Sequence, residues 1–280
     1  RYRGSQRSDG GSLPALRRRM TTRFESADWV SAMARLVGSD DVTSIADALS
    51  EAIDVAVGHE GTCLLMFHRS ASPAVLHHTL EPAGRRHYVD RYLAGPYLLD
   101  PLYLLAVRDD CPGICRFREA SPDRFRSSEY YRQYCERTHL RDEMDFLVRV
   151  SADNTLALVV GRRTRRFSKA ELARLELIEA IVHAAMRRIW ERWSTDEETG
   201  ANGSSLHQRL TDCFDNFGDG LLTQREREIT QLLLRGHSTK SIARELDIAP
   251  GTVMVHKRNL FVKLRITSQY ELFSLFIDTL

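Results

Sequence analysis

Four residues with hydrogen-bonding side chains lie close together in the first half of the chain, and their types suit the binding of a small molecule. They are Tyr88, Tyr92, Tyr97 and Asp100. A pocket with aromatic walls and one carboxylate binds an amide or a cationic ligand through hydrogen bonds and cation–π contact. The alternative is that the tyrosines pack in the core with satisfied hydroxyls. Of the four residues, the sequence favours Tyr92 and Asp100 as ligand contacts.

A second group of side chains with clear chemistry is basic and lies near the C-terminus. Between Pro250 and Leu264 the chain carries Lys257, Arg258 and Lys263 and no acidic residue. The whole protein has a formal net charge of only +2. Arginine can donate two hydrogen bonds to the major-groove edge of guanine. A locally basic segment in a near-neutral chain therefore indicates DNA binding more clearly than the overall charge does.

The elements that would position this basic segment are predicted to form a helix-turn-helix. Thr223-Gln-Arg-Glu226 is a capping box that begins one helix, and Gly236 is suited to end it. Ser238 can cap a short second helix. Pro250 stands at the first position of a third helix, which has an apolar face and a basic face. Such a pair of short helices can place its second member in a major groove.

The same segment resembles the DNA-binding domain of LuxR-type transcription regulators. It reads LLTQREREITQLLLRGHSTKSIARELDIAPGTVMVHKRNLFVKLRITSQYELF. The family pattern is LTxRExE, then G-x-S-N-K-E-I-A, then S-x-x-TVKxHxxNI, then KL. The chain departs from it with Thr239 for Asn, Ser241 for Glu, Ala249 for a Ser cap and Met254 for Lys. Losing the cap costs about 1 kcal/mol, and losing the lysine leads us to expect a different target sequence or affinity.

The resemblance also implies which side chains meet DNA. The residues expected to face bases are Met254, Val255 and Arg258. The residues expected to contact phosphates are Lys240, Thr252 and Lys257. Phosphate contacts position a protein, whereas contacts to base edges specify the sequence. Taken alone, either lysine would more often be a solvated surface side chain, and it is the register of the whole motif that favours the phosphate contact. The fourth helix is the family's dimerisation element, although its apolar face also suits packing against the first helix.

The residues before this segment are predicted to form an α+β sensor domain. Helices are expected over 26–37, 42–57, 85–93, 127–137 and 168–193, and strands over 62–68, 74–80, 144–150 and 155–161. Helices that flank an antiparallel sheet suggest an α/β/α sensory fold of the GAF or PAS kind. The apolar stripe of the last helix fits either packing on this sheet or a dimer seam, and both could hold.

We divide the chain into four parts. Residues 1–20 are expected to be disordered or an expression tag. Residues 21–193 would form the sensing and dimerisation domain. Residues 194–205 carry no large apolar side chain and are predicted to be a linker. Residues 206–280 would form the DNA-binding domain, an all-α unit of four helices.

The tyrosine-bearing region is similar to the autoinducer-binding domains of quorum-sensing regulators. These use a Trp-x3-Tyr stretch and a later Asp to hold a lactone and its amide. Here Tyr88 replaces the Trp, and the spacing to Asp100 is one residue short. An acyl-homoserine lactone is therefore one candidate ligand. The segments RYLAGPYLLDPLY and SEYYRQYCERTHLRDE look more like orphan LuxR-type regulators, whose ligands are mostly unassigned.

Several classes of protein are not supported by the sequence. It contains no nucleophile elbow, phosphate loop or metal-ligand spacing, so we expect no enzyme, catalytic residue, metal or cofactor. Paired acids after an early strand, which a phosphoacceptor receiver needs, are absent. No apolar run is long enough to span a membrane. The odd number of cysteines, with no secretion signal, predicts reduced thiols and a cytoplasmic location.

Together these patterns predict a dimeric transcription regulator controlled by a small molecule. Its expected partners are double-stranded DNA with a pseudo-palindromic operator, a small-molecule effector and a second copy of the chain, with RNA polymerase as a further candidate. Two alternatives remain: a regulator that needs no ligand, and a protein-interaction adaptor whose DNA-binding unit is weakened at Ala249 and Met254. Salt-dependent DNA affinity would separate a true DNA binder from the adaptor.

Overall fold

The computed structural model describes residues 23–80, 85, 89–196 and 201–279. The predicted tag at 1–20 and the candidate ligand contact Tyr88 lie outside these residues. The strands are β1 (Thr62–His68), β2 (Ala74–His78), β3 (Ile114–Arg116), β4 (Asp142–Arg149) and β5 (Asn154–Arg162). The helices before residue 200 are α1 (Ala27–Gly38), α2 (Val42–Val57), α3 (Arg91–Leu93), α4 (Pro101–Ala106), α5 (Phe117–Ala120) and α6 (Lys169–Asp196). The later helices are α7 (Ala201–Asp215), α8 (Gln224–Leu234), α9 (Thr239–Glu245), α10 (Pro250–Leu264) and α11 (Gln269–Ile277).

The five strands form one antiparallel sheet in the order β2-β1-β5-β4-β3. The two long strands β4 and β5 are joined by a short turn, and β1 pairs with β5 along its whole length, from Thr62 opposite Val160 to His68 opposite Asn154. The predicted antiparallel α+β fold is confirmed. The edge strand β3 was not predicted, because three residues are too few to show a period of two.

Alternate residues of the strands supply two separate cores, one on each face of the sheet. On one face, Leu64 and Phe146 pack with α1, α2 and α6. On the other face, Leu65 and Leu147 pack with the segment that runs from Pro96 through α4. The sheet is thus covered on both sides, which is the predicted α/β/α arrangement.

Helix α6 uses its apolar stripe within its own domain. The buried members of that stripe are Leu175, Ile178, Val182, Met186 and Ile189. All of them belong to the core on the helix-covered face of the sheet. The interpretation as internal packing is therefore confirmed. Leu177 and Ile181 lie outside the stripe and remain exposed.

Two predicted segments differ in the structure. The helix expected over 127–137 contains a π turn at Tyr131–Cys135 followed by a 3₁₀ turn at Glu136–Thr138. Both Tyr130 and Tyr131 contact the ring of Phe125, and the wider turn allows two adjacent residues to reach one neighbour. The helix expected over 85–93 is described as α3 at its end only, since 86–88 lie outside the described residues.

The predicted linker region is helical wherever the structure describes its backbone. Helix α6 continues to Asp196, and α7 begins at Ala201. The composition of this region, rich in Ser, Thr, Glu and Gly, concealed these helical turns. Helix α7 was not predicted, although it carries Leu210 and Phe214 into the core.

The four C-terminal helices form the predicted helix-turn-helix unit. Thr223 and Glu226 make the reciprocal capping box at the start of α8, and Ser238 caps α9. Ala249 gives α10 no side-chain cap. Glu226 is also buried and accepts a hydrogen bond from Lys263 Nζ at 2.6 Å, which ties α8 to α10. Within the described residues, no helix is both long and apolar enough to cross a bilayer.

Helix α11 packs inside the domain. Its buried side chains are Leu272, Phe273 and Phe276. The Phe276 ring lies 5.4 Å from that of Phe214 and 5.7 Å from that of Phe217. The apolar face of this helix therefore stabilises the unit internally, as one of the two sequence interpretations proposed.

Candidate ligand cavity and nucleic-acid interface

A cavity of about 440 Å³ lies beside the sheet in the N-terminal domain. One wall is the sheet, through side chains that include Cys63, Leu65, Glu143 and Val159. The other walls carry aromatic rings from the helical segments, namely Tyr92, Phe117, Phe125, Tyr130 and Tyr131. A mostly apolar cavity of this size with a few polar groups is the usual form of a small-molecule site.

Asp100 and Tyr92 meet at this cavity, as the sequence suggested. Asp100 is the N-cap of α4, and its Oδ1 accepts a hydrogen bond from the Leu102 amide at 3.0 Å. Its Oδ2 accepts the Tyr92 hydroxyl at 2.7 Å. Burial raises the pKa of Asp100 to about 6, although both hydrogen bonds act to lower it. The capping bond fixes the carboxylate, so its second oxygen and the tyrosine present a defined pair to the cavity.

Tyr97 occupies a different place. It is fully buried and does not line the cavity. Its hydroxyl lies 2.8 Å from Nδ1 of His207 on α7, and its ring packs edge-on against Tyr103. Burial lowers the pKa of His207, which keeps its imidazole neutral near pH 7. The structure therefore brings Tyr92 and Asp100 together and places Tyr97 at the contact between α7 and the sensor domain.

Two carboxyl groups of β4, the fully buried Asp145 and the half-buried Glu143, were not predicted as site residues. Glu143 and Asp145 occupy alternate positions of β4, so both side chains point to the cavity face of the sheet. Burial raises the pKa of each group, and for Asp145 the nearby charges of Glu143 and Asp100 raise it further. The available signal was two acids with a spacing of two inside an otherwise apolar run. It was missed because the strand was taken to begin at Met144.

The thiols near this site are protonated. All five cysteines are free. Burial raises the pKa of Cys63, Cys115 and Cys135, and neighbouring carboxyl groups raise it further in each case. A thiol with a raised pKa is a poor nucleophile and a poor metal ligand. These cysteines therefore behave as small side chains of the sensor domain.

Helix α10 has the two faces expected of a recognition helix. Val253 and Leu260 are completely buried against the other helices of the unit. The candidate DNA contacts Thr252, Met254, Val255 and Arg258 are exposed, as is Lys240 on α9. The arrangement leaves a surface with both cationic and apolar side chains available to base edges and phosphates.

Lys257 is placed differently from the other candidate DNA contacts. It is half-buried, and its Nζ lies 5.4 Å from the centre of the Phe261 ring. Burial lowers the pKa of Lys257, and the charge of Arg124 in the sensor domain lowers it further. The middle of the recognition helix is therefore close to the sensor domain on the side of Lys257.

A short segment of the sensor domain, residues 121–128, joins the cavity to the helix-turn-helix unit. The Ser238 amide donates to Asp123 Oδ1 at 2.9 Å, and the Arg124 amide donates to the Gly236 carbonyl at 3.0 Å. Gly236 has a φ of +90°, and a Cβ there would lie 2.8 Å from Cα of Phe125. Residues 121–127 also line the cavity. We call residues 121–128 the joint segment.

Comparison with known proteins agrees with this architecture. Residues 220–276 match the model of the bacterial regulatory proteins of the luxR family. The LBD domain of VqsR from Pseudomonas aeruginosa has the same fold as the N-terminal part, with a TM-score of 0.54 and 23% identity over 60% of this chain and 99% of that one.

Two curated relatives extend the similarity beyond the helix-turn-helix. A monoamine regulon transcriptional regulator of Klebsiella aerogenes is 28% identical over 53% of this chain and 56% of its own length. An HTH-type transcriptional regulator from the exeN 3′ region of Aeromonas salmonicida is 33% identical over 187 residues, which are 65% of this chain and 94% of that protein. The chain therefore belongs to the luxR family of bacterial regulatory proteins and is a DNA-binding transcription regulator.

Proposed function

We propose that this regulator changes its DNA binding when a small molecule occupies the cavity of the N-terminal domain. The observation that carries the proposal is the joint segment, which lines the cavity and also hydrogen-bonds to the helix-turn-helix through Asp123 and Arg124. A ligand that touches this segment makes different contacts when the two domains are joined and when they are separated. Because it then binds one of these states more tightly, it shifts the equilibrium between them. The sensor would comprise residues 21–193, the linker 194–205 and the DNA-binding domain 206–280.

In this proposal the surface of α10 reads DNA. Arg258 would bond to base edges, with Met254 and Val255 making apolar contacts beside it. Lys240, Thr252 and Lys257 would contact phosphates. Lys257 is half-buried near Arg124, so it becomes fully available only when α10 moves away from the sensor domain. Domain separation would thus improve DNA binding.

Replacing Arg258 by Ala tests the assignment of the recognition helix. Using an operator selected in vitro with the full-length protein, we expect Arg258→Ala to weaken specific binding by about 1–3 kcal/mol. Binding to unrelated DNA should change much less. Arg225→Ala is the matched control, because Arg225 lies on α8 and pairs with Glu228. Equal losses for both variants, measured by fluorescence anisotropy, would refute the assigned register of α10.

We further propose that the protein acts in the cytoplasm as a homodimer on a pseudo-palindromic operator, with RNA polymerase as a later partner. The exposed Leu177 and Ile181 on α6 are available to a second copy, because the buried stripe of that helix faces its own sheet. Native mass spectrometry of the full-length protein from its source tests dimer and effector together. A dimer that carries extra mass supports both proposals, whereas a bare monomer that binds DNA contradicts them. The name of the Klebsiella relative, which refers to a monoamine regulon, agrees with control by a small molecule.

A further inference from the structure

We propose that the cavity of the N-terminal domain takes an organic cation, a primary amine attached to an aromatic or aliphatic group, held by Asp100 and Glu143. The inference rests on the ligand-controlled function proposed above and names the chemical class of the effector. Its basis is the pair of cavity-lining carboxyl groups of Asp100 and Glu143, with the carboxyl group of Asp145 next to Glu143, together with aromatic walls.

The described part of the protein supplies no cation to these three acids. None of the three carboxyl groups forms an ion pair with a residue of the described ranges, and the electrostatic influences on them come from other acids, tyrosine or cysteine. The adjacent Asp142 is different, since Arg116 Nε donates to its Oδ1 at 2.9 Å. The fold thus neutralises one acid of β4 and leaves the next two without a cation. Ionising buried acids without a partner is costly, so these acids ionise most readily when a cationic ligand enters the cavity.

The contacts of Asp145 show how these acids are arranged. Asp145 is 0% exposed and is not among the cavity-lining residues. Its carboxyl group is hydrogen-bonded to that of Glu143, and its Oδ2 lies 3.9 Å from the weak donor Cys115 Sγ. Two carboxyl groups share a hydrogen bond only when one of them is protonated. An ammonium group beside Glu143 would take the place of that proton and donate hydrogen bonds to the cavity-lining carboxylate.

The remaining walls fit the organic part of such a ligand. Tyr92, Phe117, Phe125, Tyr130 and Tyr131 surround the cavity, and their faces attract a cation while their area buries an apolar group. The arginines that reach the cavity, such as Arg118, Arg126 and Arg141, are exposed at its rim. A metal ion is not the favoured cation, because the described part of the chain has no group of three His, Cys, Asp or Glu arranged to hold one.

Binding of a cation should be linked to proton release. The ionisable groups that face Glu143 are Cys63, Asp100, Cys115, Tyr130, Cys135, Asp142 and Asp145. The thiols and Tyr130 stay protonated, and Asp142 is paired with Arg116. Burial raises the pKa of Glu143 and Asp145, so the empty cavity holds protons that an ammonium group would displace. Affinity for an amine should therefore rise with pH.

The test is calorimetric titration of the full-length protein with three amines, phenethylamine, tyramine and hexylamine, each paired with the alcohol that replaces its amine by a hydroxyl. We expect at least one amine to bind about 10-fold or more tighter than its alcohol, as charge-assisted bonds require. Its affinity should increase between about pH 6 and about pH 8, with release of a proton that depends on buffer. Glu143→Gln should remove most of the preference, and Glu179→Gln on α6 is the matched control.

The outcomes separate this inference from the proposed function. Three results would refute a cationic effector. They are equal binding of amines and alcohols, no binding of any amine, and an affinity for amines that falls as the pH rises. If N-octanoyl-homoserine lactone then binds and changes DNA affinity, the proposed function stands without the cation. If an amine binds as expected but leaves operator affinity unchanged, the proposal of a cationic ligand is supported and the proposal of ligand-controlled DNA binding is refuted. Asp145→Asn is a second variant, should Glu143→Gln not fold.

Discussion

Two acids of the sensor domain are placed where ionisation is costly. Glu143 and Asp145 lie on the cavity face of β4 without a cationic partner in the described ranges, whereas most buried carboxylates are paired. Natural proteins tolerate such a cost mainly at functional sites, where a ligand later supplies the missing partner. Asp100 differs because two hydrogen bonds hold its carboxylate.

The pH dependence of stability should reveal this cost. In the unfolded chain Glu143 ionises near the ordinary value of 4.5, and in the folded protein burial raises its pKa. The unfolded state therefore loses its proton first, and stability falls as the pH rises from about 5 through the folded pKa. Each unit of difference in pKa is about 1.4 kcal/mol.

Glu143→Gln removes this ionisation. We expect the variant to be more stable than the parent at about pH 8 and to lose less stability between about pH 5 and 8, measured by urea unfolding without ligand. Glu129→Gln is a control, because Glu129 is paired with Arg132. Parallel curves for the parent and Glu143→Gln would show that Glu143 does not titrate in this range.

At the scale of elements, the sequence was most informative where side chains repeat with a clear period. Helices α1 and α2 and strand β1 appear at or within a residue of their predicted bounds, and the capping box at Thr223 correctly begins α8. The recognition-helix candidates could be named from the resemblance to LuxR-type domains, and the Tyr92–Asp100 pair from the density of hydrogen-bonding side chains between residues 88 and 100.

Other parts depend on tertiary contacts that one sequence does not display. The π turn after Tyr130 follows from shared contacts with Phe125, and α7 is stabilised by Phe214 in a core built from distant residues. Glu143 joined the cavity only because β4 begins two residues earlier than predicted. The position of Tyr97 against His207 likewise depends on a helix that composition had concealed.

Gly236 connects two elements and gives a direct test of the joint segment. Gly236→Ala should destabilise the protein in two ways, through its φ of +90° and through contact of the new Cβ with Phe125. Gly220→Ala isolates the first cost, about 1–2 kcal/mol, because Gly220 has a φ of +74° and open space around it. We expect Gly236→Ala to cost about 1–3 kcal/mol more. Thermal unfolding measures the difference, and equal costs would mean that the domains do not touch at Gly236.

At the scale of the whole molecule, the two domains share one apolar core. Leu65 and Tyr97 of the sensor belong to the same cluster as Phe214 of α7 and Ile229 of α8. The Tyr97–His207 hydrogen bond lies inside this shared core. Domains that are joined in this way lose stability together, since exposing the shared surface affects both.

Calorimetry of the full-length chain should therefore show a single unfolding transition. Tyr97→Phe leaves His207 Nδ1 without its partner, and we expect a cost of about 1–3 kcal/mol that lowers the whole transition. Tyr270→Phe is the matched control, because Tyr270 is 57% exposed on α11. Two separate transitions in the parent, only one of which responds to Tyr97→Phe, would contradict a shared core.

One wall of the cavity, the joint segment, contacts the helix-turn-helix, whereas the sheet wall does not. This difference restricts which substitutions can change ligand selectivity alone. Substitutions in the joint segment alter both the fit of the effector and the contacts with Gly236 and Ser238. A new ligand preference acquired there therefore also changes how strongly the ligand affects DNA binding. Substitutions at Cys63, Glu143 or Val159 on the sheet wall reach the effector without touching the helix-turn-helix. A biosensor library that aims to retune specificity while preserving dynamic range should vary the sheet wall and hold the joint segment fixed.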